Sequence, residues 1–436
     1  MANQKYNIID QDTGRLDPAI YTDPAIYAEE MKNIFGRAWL LIGHDSLIPN
    51  PGDFFHTYMG EQPVIISRDR TGQVNALLNI CRHRGARLVR VDDGSCNSFV
   101  CTYHSWTYGL DGKLEWAPGE QELYDGKLDK ENLGLKKARV ATYAGLIFAT
   151  WDPEAPSLEE YLGDGRWYLD TEFNRSAKGT IAFGPHKWIQ PVNWKTAVDN
   201  SSDWYHVPYS HASSANALTR ILGNPRITQD TIWSKKGRMA FVNGHQFAFF
   251  RLPEDQMGDS PYGTDHSAET QQEAIERLGE FRGSQVALGT HSLFPNTVLG
   301  FRLAIPRGPQ KTEFWHFSVV SAADSPEDQR KEALRHAAQN GAGGHFESDD
   351  IDNWRQVTES GLYPTAREMG QYVSMGIGNT HQDDVFPGEI SDRFVSESNH
   401  RAFYKRWEEF MNAESWADIS LDPMKATFEG TAGMNE

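Results

Sequence analysis

The chain has 436 residues, enough for two or three domains. Its 42 Lys and Arg against 60 Asp and Glu leave a net charge of −18, which repels phosphate backbones and anionic lipid and sets nucleic acid and membrane aside as partners. At 39% hydrophobic and 23% charged it can bury a core, and no apolar run is long enough to span a bilayer. Met1–Asp10 is polar, without the apolar core of a signal peptide. Three cysteines, Cys81, Cys96 and Cys101, cannot build a disulfide framework, so a reducing, cytoplasmic location is expected.

Along the chain, Asp17-Pro-Ala-Ile-Tyr21 is echoed by Asp23-Pro-Ala-Ile-Tyr27. The second copy predicts a helix capped by Asp23, opened by Pro24, and apolar on the face of Tyr27, Met31, Ile34 and Phe35. From Ala38 to Trp151 the pattern becomes short strands: Pro63–Ser67, Val74–Asn79, Ser98–Tyr103, Trp106–Tyr108 and Gly145–Trp151, with Asp111-Gly112 as a hairpin signal. Asp152-Pro-Glu-Ala-Pro156 then marks a boundary. Beyond it, strand-like runs (Met239–Val242, His245–Arg251, Thr297–Ile305, Phe314–Val320) are grouped apart from helix-like runs (Glu269–Glu280, Pro326–Gln339, Asp349–Ser360, Ser398–Met411). That pattern predicts an α+β fold with an antiparallel sheet. Residues 253–268, polar and rich in Gly and Pro, are expected to form a loop or lid.

Two constellations carry chemistry. Cys81-Arg-His83 is followed, seventeen residues later, by Cys101-Thr-Tyr-His104. Two thiolates and two imidazoles can hold zinc, or a [2Fe–2S] cluster with cysteines on one iron and histidines on the other. Zinc fingers usually pair Cys with Cys and His with His; here each loop supplies one of each, the layout a Rieske cluster needs. Cys96 matches no ligand position. The second constellation is Asp199-Asn-Ser-Ser-Asp203-Trp-Tyr-His206-Val-Pro-Tyr-Ser-His211. Histidines five apart lie about 140° apart around a regular helix, so Pro208 must break that helix for the imidazoles to converge. Completing a two-histidine, one-carboxylate site for Fe(II) needs an acid. Helical periodicity favours Asp350, on the face of Trp354, Val357 and Gly361, over Asp349 on the opposite, solvated face. Asp383-Asp384 is the rival pair.

Asn79-Ile-Cys-Arg-His-Arg-Gly85 and Cys101-Thr-Tyr-His-Ser-Trp106 resemble the Rieske motif of ring-hydroxylating oxygenase large subunits, except that Ser105 stands where the family usually has Gly. Phe35–His44, Ala141–Trp151 and His291–Asn296 extend the resemblance to the naphthalene, biphenyl and toluene dioxygenase group over roughly residues 20–410. The resemblance implies three parts. These are a helical segment, 1–37, packing on the catalytic domain; an all-β Rieske [2Fe–2S] domain, 38–152; and an antiparallel-sheet, helix-grip catalytic domain, 153–436. It places Cys81, His83, Cys101 and His104 on the cluster and His206, His211 and Asp350 on a mononuclear Fe(II). Asp203 falls on the acid linking an iron-bound histidine to the cluster histidine of a neighbouring subunit, with His104 as the contact, and Asn200 joins it at the catalytic centre. Ser201, Val207, His291, Asn296, Asn340 and Phe346 are expected around the substrate, and Arg302 is either a carboxylate reader or a sheet-edge arginine.

The implied reaction puts both atoms of O2 into a mono- or polycyclic arene to give a cis-dihydrodiol. NAD(P)H would supply the electrons through a reductase and a ferredoxin. A small β subunit in an α3β3 assembly, or an α3 homotrimer, is the implied form. Alternatives are an aromatic carboxylate or heteroaromatic substrate, a monooxygenase or demethylase, an electron-transfer Rieske protein without an active iron site, and a zinc-stabilised binding module.

Overall fold

The computed structural model describes residues 5–201, 203–214, 216–217, 237–251, 268–298 and 300–425. The expected lid at 253–268 falls almost wholly outside them. Contacts divide the chain into two compact units: residues up to Ile34 together with those from Pro156 onward, and Phe35–Ala155 between them.

The inserted unit is all β. Its main sheet is antiparallel, in the order Leu40–His44, Leu146–Thr150, Lys137–Tyr143, Val74–Leu78, Gln62–Arg68, Asp53–Met59 and Asp93–Ser95. A small second sheet joins Phe99–Val100, Thr107–Tyr108 and Leu114–Trp116, the last two forming the hairpin over Asp111-Gly112. The strand expected over Ser98–Tyr103 is only Phe99–Val100, because Cys101 begins a tight turn. Ile65, Leu77, Phe99, Trp106, Tyr108 and Leu114 form the core beneath both cysteine loops.

The second unit is α+β. A four-stranded sheet runs in the order Thr180–Gln190, Thr312–Ser321, Arg302–Pro306, Thr297–Val298, and a five-stranded sheet in the order Val286–Ser292, His245–Arg251, Gly237–Val242, Glu389–Ser391, Thr380–Gln382. The run expected as one strand over Thr297–Ile305 is a hairpin. Gly300, at φ +81°, turns the chain so that Thr297 pairs with Leu303.

Helix α1, Pro24–Asn33, begins as the sequence predicts, with the Asp23 carboxylate accepting from the Ala25 and Ile26 amides. It belongs to the catalytic unit through a buried charge pair. Glu30 accepts from Lys195 Nζ (2.6 Å), Trp407 Nε1 (2.8 Å) and Trp194 Nε1 (3.0 Å), and Glu30 and Lys195 are both fully buried. Four further helices matter for the site: α2 (Gly165–Phe173), α3 (Trp194–Asn200), α4 (Val207–Ser210) and α5 (Pro326–Asn340). Helix α6 (His345–Ser360) carries the acids, and α7 (Ser398–Asn412) closes the unit. The buried stripe of α6 is Glu347, Asp350, Trp354 and Thr358. Val357, expected inside, is 37% exposed, because the stripe drifts by one residue to Thr358, whose hydroxyl accepts from the Asn193 amide.

Candidate metal centres

The two cysteine loops are built alike. Cys81 N–H donates to Ala86 O and Gly85 N–H to Cys81 O; Cys101 N–H donates to Trp106 O and Ser105 N–H to Cys101 O, all at 2.8–2.9 Å. Each loop closes through a residue in the left-handed region, Gly85 at φ +75° and Ser105 at φ +58°. Serine therefore keeps the turn that glycine makes without strain. The thiols of Cys81 and Cys101 are unpaired and only 2% exposed. Tyr108 accepts from the Arg82 amide (3.0 Å), which leaves its own O–H to donate towards Cys81 Sγ at 3.4 Å. At the tip, the His83 and His104 rings stand 4.7 Å apart, and His83 stacks on Trp106 at 5.1 Å. His104 Nδ1 is buried without a hydrogen-bond partner. Two buried thiols on paired loops and two imidazoles 4.7 Å apart on the same loops, one with an orphaned nitrogen, are the donor set a [2Fe–2S] Rieske cluster takes.

In the other unit, Asn193 caps α3 by accepting from the Lys195 amide, and the helix ends at Asn200. A single 3-10 turn, Trp204–His206, leads into α4. Pro208 sits in the first turn of α4, where its missing N–H costs nothing, so the break precedes it rather than falling on it. The change in winding brings His206 Nε2 within 3.2 Å of His211 Nε2. Asp350 Oδ1 completes the group at 3.6 Å from His206 Nε2 and 3.4 Å from His211 Nε2. One ligand atom from each lies within 4.8 Å of the others, a group able to hold a metal ion. Bonds of about 2.0–2.2 Å meeting at right angles put neighbouring ligand atoms about 3 Å apart, so three donors on one face of a single ion fit this spacing.

The charge balance also suits a cation. Burial opposes protonation of His206, yet Asp203 and Asp350 outweigh it and hold its pKa above the usual histidine value. Asp203 Oδ1 and His206 Nδ1, both buried and without hydrogen bonds, face each other at 3.6 Å, an electrostatic contact too long for a hydrogen bond. Asp349 is a residue the sequence reading assigned to solvent. It is partly buried, and its Oδ2 lies 3.1 Å from His211 Nδ1 while accepting from Ser214 Oγ at 2.7 Å. Nothing in the local pattern could have revealed this, because its partner lies 138 positions away.

The other expected site residues divide. Asn200 Nδ2 reaches Asp350 Oδ2 at 3.4 Å, Phe346 packs against His211 with ring centres 4.9 Å apart, and Val207 opens α4 beside His206. Ser201 Oγ donates to the carbonyl of His291 (3.4 Å), on strand Val286–Ser292. Asn296 and Asn340 are tied to the four-stranded sheet: Asn296 Nδ2 donates to Ala304 O, and Asn340 O accepts from Arg302. Arg302 is neither at a sheet edge nor free for a ligand. It is fully buried between two strands, and its guanidinium pairs with Glu347, which also accepts from Trp188 Nε1. Asp383 is engaged by Arg238 and by the amides of Val385 and Phe386, and Asp384 is exposed; neither meets the histidines.

A thiol–imidazole redox site in one unit and a histidine–carboxylate pocket in the other define a Rieske non-haem iron oxygenase. The chain matches the Rieske [2Fe–2S] domain over residues 38–143 and the ring-hydroxylating α-subunit catalytic domain over residues 158–413. It is 38% identical to the α subunit of biphenyl 2,3-dioxygenase from Rhodococcus jostii, covering 94% of this chain and 92% of that one. It is 37% identical to the benzene 1,2-dioxygenase α subunit of Pseudomonas putida, covering 96% and 95%. Its fold superposes on naphthalene 1,2-dioxygenase with indole bound at a TM-score of 0.86, with 31% identity over 96% of this chain and 97% of that one. The chain belongs to the large-subunit family of multicomponent aromatic ring-hydroxylating dioxygenases, oxidoreductases with a Rieske cluster and a mononuclear iron. Among the described residues, no helix is long and apolar enough to cross a membrane.

Proposed function

We propose that this chain is the terminal oxygenase subunit that converts a mono- or polycyclic arene to its cis-dihydrodiol. Cys81, His83, Cys101 and His104 hold the cluster, and His206, His211 and Asp350 hold the iron. The observation that carries the reading is the meeting of those last three side chains within 4.8 Å. When bound, the iron supplies O2 activation and the cluster supplies the electron that one Fe(II) lacks.

The chain's own residues perform the rest. His206, His211 and Asp350 would hold the cation, and a three-ligand site of this kind would keep positions open for O2. Asn200 orients Asp350, and Asp349 holds the His211 ring by its far nitrogen. Asp203 faces His206 Nδ1 from the other side and would offer a carboxylate to His104 of a neighbouring subunit, a route for electrons between chains. That route requires an oligomer, a head-to-tail ring such as α3β3 or α3, fed by NAD(P)H through a reductase and a ferredoxin in the cytoplasm. The N-terminal segment, 1–37, belongs to the catalytic domain, 153–436, with the Rieske domain, 38–152, between them. An aromatic carboxylate is disfavoured because the buried arginine that could have read it, Arg302, is neutralised by Glu347.

The test is turnover of the reconstituted system on arenes under labelled O2. Both product oxygens should carry label, iron analysis should give three irons per chain, and Asp350→Ala should abolish turnover while keeping the red-brown cluster spectrum. Single-atom labelling would make the enzyme a monooxygenase. Two irons per chain would leave only an electron-transfer protein.

A further inference from the structure

One glutamate–histidine pair in the catalytic unit has no part in the proposed mechanism. Glu172, near the C-terminal end of α2, places Oε2 3.4 Å from Nδ1 of His291. His291 is 1% exposed, and both its ring nitrogens lack hydrogen-bond partners. Phe173 and Phe247 stand against its ring at centroid distances of 5.8 and 6.3 Å. A buried imidazole with two unmet nitrogens is uncommon, because each costs the desolvation it does not recover.

Glu172 is flanked in sequence by Thr171 and Phe173, 5% and 1% exposed, yet 39% of its own side-chain surface is open. Burial nevertheless lifts its carboxyl to about 7. The open side-chain surface leaves the carboxylate reachable beside the buried imidazole. Gly300 borders the pair. A side chain there would begin 3.8 Å from His291 Cε1 and 3.9 Å from Glu172 Oε1, and glycine leaves this side open. The pair also neighbours the metal site along the backbone: the His291 carbonyl accepts from Ser201, the residue after Asn200, whose amide reaches Asp350.

We propose that Glu172 and His291 form the polar end of the substrate recess and select an arene bearing a hydrogen-bond donor, such as a ring hydroxyl or an N–H, over the bare hydrocarbon. The inference rests on the oxygenase reading above and adds the substrate class. A carboxyl oxygen of Glu172 accepts in either protonation state, and His291, kept neutral by burial with a pKa near 3, retains an accepting nitrogen. A substrate carboxylate meets repulsion here from Glu172 once ionised. An apolar ring without a donor leaves the pair unsatisfied, and sites of this kind discriminate strongly against the analogue that lacks the group.

The experiment measures dissociation constants of the iron- and cluster-loaded oxygenase for naphthalene, 2-naphthol and 2-methoxynaphthalene. 2-Naphthol should bind at least tenfold more tightly than either of the others. Glu172→Gln, which keeps an accepting oxygen, should retain most of that preference, and Glu172→Leu should reduce it to less than threefold. Cluster absorbance and iron content confirm that the variants are folded. Equal binding of 2-naphthol and 2-methoxynaphthalene by the unaltered protein overturns the inference, as does a preference that survives Glu172→Leu. Either result leaves the oxygenase reading intact, whereas failure of all three arenes to bind or be oxidised removes both.

Discussion

Asp349→Ala tests whether the far side of His211, proposed above to hold the iron, matters in this fold. The substitution removes the carboxylate 3.1 Å from His211 Nδ1. His211 is 3% exposed, so water cannot replace the lost partner, and the ring loses both its fixed tautomer and its orientation. Losing such support typically lowers metal affinity about 10–100-fold, or about 1.4–2.8 kcal/mol at 1.4 kcal/mol per tenfold. Asp349→Asn keeps an accepting oxygen without the charge and should fall near the lower figure. Ser214→Ala removes only the hydroxyl that donates to Asp349, a bond of about 0.5–1.5 kcal/mol, and should cost a few-fold at most. The assay is competition for Fe(II) between a chromophoric chelator and protein with its cluster in place, the cluster spectrum reporting that the fold is intact. Iron affinity within threefold of the unaltered protein in Asp349→Ala would refute the reasoning. Equal losses in the Ala and Asn variants would point to the negative charge instead of the accepting oxygen or the packing.

Other outcomes follow from the buried charges and the strained turn. Arg302→Met should destabilise the catalytic unit by about 3–5 kcal/mol by leaving Glu347 buried and unpaired, and adding Glu347→Leu should recover at least half; urea unfolding decides, and an additive double variant counts against the pair. Ser105→Gly should stabilise the Rieske unit by about 0.5–1 kcal/mol, since removing Cβ from a left-handed position relieves about 1–2 kcal/mol and glycine's extra unfolded-state freedom takes part of it back. A lower thermal midpoint for cluster loss would contradict that. Burial raises Asp199 from 3.8 to about 6, with His400, Tyr404, Asp203 and Lys195 facing it. Its folded state favours the neutral acid, so its contribution of about 3 kcal/mol is complete below pH 4 and vanishes as pH rises through 6. Asp199→Asn should therefore flatten the fall in stability between pH 4 and 7, and an unchanged slope would show that another group sets it.

The parts legible in the sequence are those whose determinants are local. The Cys-x-His and Cys-x-x-His spacings mark two loops that close alike, because each turn needs only its own few residues. The period of α6 places Asp350 inward because burial follows helix geometry, and it lies 5% exposed. What escaped depends on partners far along the chain. Arg302 looked available because Glu347, which neutralises it, arrives from another element 45 positions later. The same holds for Asp349 and His211. Strand limits failed where one glycine decides them, as at Gly300, since composition alone does not separate a bent strand from a hairpin.

The insertion of Phe35–Ala155 between two pieces of the catalytic unit has a consequence for biosynthesis. As the polypeptide leaves the ribosome, the Rieske unit is complete after residue 155 and can close around its cluster while the remainder is still being made. Helix α1, already synthesised, must wait. Its Glu30 gains Lys195 only forty residues after the inserted unit ends, and Trp407 more than two hundred residues after that. Until then the helix stays unsheltered, so a segment made before the Rieske unit finds its place only after it.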